Sequence, residues 1–139
     1  MTGLVVRLAA LVALIIVCSA HIGSPDAWYE GPAGPYRILV HVQAPHVVPG
    51  IAIVNVKVAT EGVQRVTAFV NRFDATGGAP PPDVAIPVRD NPGWHRTELW
   101  VMTPGSNGVT IAIHGQAGIG SVVVPLTATA GRRLEFNGW

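Results

Sequence analysis

Tyr36-Arg37-Ile38-Leu39-Val40-His41-Val42-Gln43 decides the fold class. Ile38, Val40 and Val42 recur at every second position, and Arg37, His41 and Gln43 fill the alternate ones. This is the period of a β-strand with one face on a core and one in water. Working outward, Ala52, Val54, Val56 and Val58 repeat the pattern around Asn55 and Lys57. Val66, Ala68 and Val70 alternate with Arg65 and Thr67. Further strands are read at 97–102, at Val109, Ile111 and Ile113, and at Val122, Val124 and Leu126. These segments are rich in Val and Ile, and no segment reads as a helix. Turn residues separate them: Pro45-His46-Val47-Val48-Pro49-Gly50, Thr60-Glu61-Gly62, Thr103-Pro104-Gly105-Ser106-Asn107-Gly108 and Gly115-Gln116-Ala117-Gly118. The expectation is an all-β chain, a single antiparallel immunoglobulin-like β-sandwich after an N-terminal signal peptide.

The 139 residues suffice for one ordinary domain. Apolar residues make up 49% and charged residues 12%, about half the usual ~25%. A formal net charge of +1 provides no basic stripe, so no nucleic-acid partner is expected. Cys18 is the one cysteine, which excludes an internal disulfide and a thiolate zinc site.

Residues 1–20 read as a secretory signal: Arg7, then the apolar run from Leu8 to Val17, then Cys18-Ser19-Ala20 with small residues where a signal peptidase inspects the chain. As a helix that run spans roughly 15 Å, half of a ~30 Å hydrocarbon core. Cleavage after Ala20 is expected, and an uncleaved anchor and lipidation of Cys18 are the alternatives. The organisation is then a signal at 1–20, a linker or first segment at 21–35, the sandwich at 36–128 and a tail at 129–139. The location is extracytoplasmic, in the periplasm or cell envelope. Residues 72–93 hold five prolines and one short extended patch from Val84 to Val88. This long connection reads as a surface crossover between sheets or as a binding loop.

His21-Ile22-Gly23-Ser24-Pro25, Glu30-Gly31-Pro32-Ala33-Gly34-Pro35-Tyr36 and Val47-Val48-Pro49-Gly50 resemble a group of uncharacterised bacterial exported proteins. Pro82-Asp83-Val84-Ala85 and Glu98-Leu99-Trp100-Val101-Met102 extend the likeness. That group is similar to the YtkA-like and FixH-like extracytoplasmic β-sandwich domains. The resemblance implies a sandwich outside the cytoplasm and carries no catalytic motif. It also implies that longer relatives are anchored in the membrane beyond the position of Arg132-Arg133-Leu134-Glu135-Phe136, with this chain a truncated version.

Cleavage after Ala20 exposes His21, whose α-amine and imidazole together chelate copper. Ala20-His21-x-x-Ser24-Pro25 resembles the start of CopC-like periplasmic copper carriers. The metal candidates are His21 with Asp83; His41, His46, His95, His114 and Asp90 are the other donors the chain offers. CopC-like proteins use a later Asp-x-His triplet, which does not occur here. Copper is thus the alternative cofactor to none.

No His-Glu-x-x-His, Cys-x-x-Cys or Gly-x-Ser-x-Gly is present. Gly115-x-x-Gly118-x-Gly120 joins two strands and opens no helix, so it cannot cradle phosphate. The reading is therefore not an enzyme and has no catalytic residues. Trp100 is expected in the core. Trp28 and Trp94 are expected on an exposed contact surface for an envelope protein partner.

Overall fold

The computed structural model describes residues 3, 5–7 and 24–130. Most of the expected signal, His21 and the tail from 131 onward lie outside the described residues. No described helix is long and apolar enough to cross a membrane.

Among the described residues, nine strands form two antiparallel sheets. They are β1 (Ala27–Ala33), β2 (Tyr36–Gln43), β3 (Gly50–Val58), β4 (Val63–Arg72), β5 (Asp83–Val84), β6 (Ile86–Pro87), β7 (Trp94–Val101), β8 (Gly105–Gly115) and β9 (Gly118–Ala128). One sheet has the order β1-β2-β3-β7-β6 and the other β5-β4-β8-β9. Strands β2, β3, β7 and β6 follow the A-B-E-D order of an immunoglobulin sandwich, and β4, β8 and β9 follow C-F-G. The expected all-β sandwich is the one observed.

The alternation read from the sequence is the alternation of burial. Val40, Val42, Val54 and Ile111 have no exposed surface, and neither do Val66, Val109, Ile113 and Val124. These β-branched side chains stand perpendicular to each sheet and interdigitate between the two layers. The two sheets meet along β4 and β7, and β1 lies against β9.

One strand, β1, lies beyond the sequence reading, and the extended patch read from Val84 to Val88 is two short strands, β5 and β6. β1 falls within the segment 21–35, and its inward residues are Ala27, Tyr29, Gly31 and Ala33. It therefore lacks the Val/Ile signature of the others. β5 and β6 are two residues each and come from the proline-rich connection. β5 pairs with β4 in one sheet and β6 with β7 in the other. Ala85 between them is buried, and its amide donates to the Val66 carbonyl at 2.8 Å. The connection is thus the crossover between sheets. Its prolines blunt both edges, where they cost no ladder hydrogen bond.

Where β1 turns into β2, the chain rests on β9 through bare backbone. A Cβ on Gly34 would lie 2.8 Å from the Gly120 Cα, and one on Gly120 would fall on the Ala33 carbonyl. Beside this seam Tyr36 is buried, and its hydroxyl donates to the Gly118 carbonyl at 2.8 Å. Together these contacts close the sandwich along that edge and hold β1 in place.

Candidate functional site

The outer face of the five-stranded sheet concentrates the chemistry. Reading across it at one height, Trp28 pairs with His41, His41 with Asn55, Asn55 with Arg96 and Arg96 with Ile86. One step along the strands, Glu30, Leu39, Lys57 and Trp94 form a second row. At the opposite end Ile51 pairs with Trp100. Trp28 is 64% exposed and Trp100 63%, and Trp94 is half-buried.

This corrects the expectation for Trp100. Thr97, Leu99 and Val101 take the inward positions of β7, so Arg96, Glu98 and Trp100 face outward. Size suggested a core residue, but strand parity decided the outcome.

Register explains how the sheet builds an aromatic–imidazole pair. Trp28 and His41 are directly opposed, and their rings stack with centroids 3.9 Å apart at 18°. His41 Nε2 lies 2.9 Å from Asp26 Oδ2. A carboxylate only accepts, so Nε2 carries the proton of this bond. Asp26 Oδ1 accepts from the Ala44 amide at 3.3 Å, which ties the entry to β1 onto the end of β2. The stack covers one face of the Trp28 ring and leaves the other to solvent. Next to Asp26 an open concavity of about 530 Å³ is lined by Gln43, Pro45, His46, Ile51 and Ile53.

At the other end of the face, Lys57 Nζ lies 6.0 Å from the Trp94 ring centroid, at the outer limit of a cation–π contact. Arg96 Nη2 and Glu98 Oε1 are 3.8 Å apart, and both side chains are about half exposed. Such a loose surface pair contributes little to stability.

The structure brings Trp28 and Trp94 onto the same face. His21 lies outside the described residues, so only Asp83 of the expected metal pair has a described position. Asp83 is exposed on β5, at the lateral edge shared with β6. Ser24, three residues after His21, sits at the other edge, where its Oγ accepts from the Thr129 amide at 2.9 Å. Asp83 lines a groove of about 480 Å³ with Arg72, Pro81, Trp100 and Met102. Nearby, two hydrogen bonds of 2.7 Å from Arg72 hold the exposed Asp74 carboxyl below its usual range. Among the described residues no three His, Cys, Asp or Glu side chains gather where they could hold a metal ion.

His95 occupies a different environment from the other histidines. It takes an inward position at the mouth of the core, and its Nδ1 is buried without a hydrogen-bond partner. Burial lowers its pKa from the ordinary value, and the backbone at Gly93 offsets this in smaller measure. In the unfolded chain an exposed imidazole takes its proton near ~6.5, but the folded one does so only at lower pH. Folding stability from this site is therefore full above that range and declines as the pH falls through it. Thermal unfolding of His95→Leu, compared with wild type from about pH 8 to about pH 5, is expected to show a shallower acid decline. Equal slopes in the two proteins would contradict the assignment.

Fold and face together define a class: an immunoglobulin-like sandwich that presents aromatic side chains on the outer face of one sheet. No family model matches the chain, and neither does any curated protein or solved structure.

Proposed function

We propose that the chain is a non-catalytic binding or assembly module of the cell envelope, exported by its first twenty residues, with the outer face of the five-stranded sheet as its contact surface. One observation carries this reading. Trp28, Trp94 and Trp100, three of the four tryptophans, share that face, and two of them are more than 60% exposed. Tryptophan in water is unfavourable unless a partner covers it, and it is among the residues that dominate binding energies at interfaces. Polar residues between the rings (Asn55, Arg96 and Glu98) supply directional contacts and keep the free protein soluble.

Trp28→Ala combined with Trp94→Ala is expected to reduce association with envelope partners, each ring contributing on the order of 2 kcal/mol. The check is quantitative recovery of proteins cross-linked to the tagged full chain in cells, beside Ile119→Ala with Val123→Ala on the other sheet. Unfolding temperatures should stay within a few degrees of wild type, because neither ring belongs to the buried core. Unchanged recovery with the tryptophans removed would contradict the reading.

A further inference from the structure

The outward residues of β7 read Trp94, Arg96, Glu98, Trp100. They run from an aromatic ring through a cation and an anion to an aromatic ring. Thr97 points inward at the midpoint. We propose that this strand is the centre of a two-fold interface with a second copy of the chain, the two five-stranded sheets packing face to face. The proposal rests on the reading of this face as the contact surface and names its occupant.

Charge complementarity carries it. Turn a second copy by half a revolution about an axis at the height of Thr97, perpendicular to the strands and parallel to the sheet. Arg96 of each copy then faces Glu98 of the other, and Trp94 of each faces Trp100 of the other. A two-fold interface requires this self-complementarity, in which residue i meets j and j meets i. The adjoining strand obeys the same operation. Lys57, beside Trp94, comes opposite Ile51, beside Trp100. The apolar stem of Lys57 then covers Ile51, and its ammonium stays within reach of both rings.

The two classes of contact do different work. The tryptophan pairs lie about 20 Å apart along the strand and exclude water at both ends. The Arg–Glu pairs between them repay little beyond their own desolvation, but they fix the orientation, because a parallel or shifted copy sets like charges together. In the single chain Arg96 and Glu98 meet only loosely, 3.8 Å apart and about half exposed, so exchanging that contact for one across the axis costs little.

The test is sedimentation of the full chain in mild detergent over a range of concentrations, with three variants: Arg96→Glu, Glu98→Arg and the double exchange. Circular dichroism checks that each retains its strands. Wild type is expected to sediment as a dimer. Each single reversal places like charges together twice in the interface and should raise the dissociation constant at least about tenfold. The double exchange restores opposite charges and should return it to near the wild-type value. Either reversal alone suffices if the other fails to fold, because symmetry repeats each pair.

A monomeric wild type at every concentration would overturn the proposal, as would single reversals that dimerise like wild type. A folded double exchange no better than its parents would also overturn it. A monomer whose envelope cross-links still depend on Trp28 and Trp94 would end the dimer and leave the contact-face reading standing. Loss of that dependence in a charge-sensitive dimer would end the envelope-partner reading alone.

Discussion

Gly120→Ala is expected to lower the unfolding free energy by about 3 kcal/mol or more, one of the two largest single effects in this fold. The added methyl group would fall on the Ala33 carbonyl oxygen and lie 2.6 Å from its carbon. Both obstacles are backbone, so no rotamer change relieves them. Relief requires β9 to move away from the β1–β2 turn. That movement lengthens the Tyr36 hydroxyl bond to Gly118 and opens the edge of the core beside a fully buried Ala33. Chemical denaturation reads the loss directly, and a fall in melting temperature on the order of 10 °C accompanies it. Gly77→Ala and Gly78→Ala are controls, since a Cβ at either meets nothing within 4 Å. A Gly120→Ala protein as stable as these controls would show that the edge seam is not close-packed.

Ile111→Ala is expected to cost a similar amount, about 2–5 kcal/mol, for the opposite reason. Ile111 is fully buried at the centre of β8, flanked by Ala68 on β4 and Val122 on β9. Truncation removes methyl groups that touch both layers. The neighbour across β4 is already an alanine, so little volume is available to refill the space. Because β8 is paired on both sides, its backbone cannot collapse inward without breaking two ladders. The loss of stability at neutral pH, read by denaturant midpoint, should exceed that of Val122→Ala, where the side chain is only partly buried. Equal costs at the two positions would place the centre of the core elsewhere.

These two positions mark what the sequence could and could not disclose. Ile111 was legible because it belongs to a Val/Ile run of period two, and such a run buries one face whatever its partners are. The same logic identified the inward residues of β2, β3, β4 and β9. It also contained the correct answer for Trp100, since Leu99 and Val101 claim the core side of β7. The bulk of an indole pulled the reading away from strand parity. β1 escaped notice because Gly31 and Ala33 pack by backbone proximity, which has no hydrophobic signature. Gly120 hid for the same reason. Its partner is a carbonyl 87 positions earlier in the chain, brought close only by the meeting of two sheet edges.

The site was legible as residue types but not as an arrangement. Trp28 and Trp94 carried the expectation of a contact surface, and the structure adds that they share a sheet face with Trp100. The bond between Asp26 and His41 depends on the entry to β1 lying along the end of β2. Nothing in the separation of these residues signals it. Asp83 has the chemistry of a ligand, and the crossover places it on the lateral edge opposite Ser24, while His21 lies outside the described residues. The pairing of Arg96 with Glu98 has meaning only once both are known to face outward on β7.

The central claim, that the outer face of the five-stranded sheet is where this protein makes its contacts, is tested most directly by photo-cross-linking in living cells. A photoreactive phenylalanine analogue is placed at Trp100 in one version of the full chain and at Val123, exposed on the other sheet, in a second. Strong adducts from position 100 and weak or absent adducts from position 123 are predicted, with the mass of each adduct distinguishing a second copy from another envelope protein. Adducts from position 123 with none from position 100 would contradict the account.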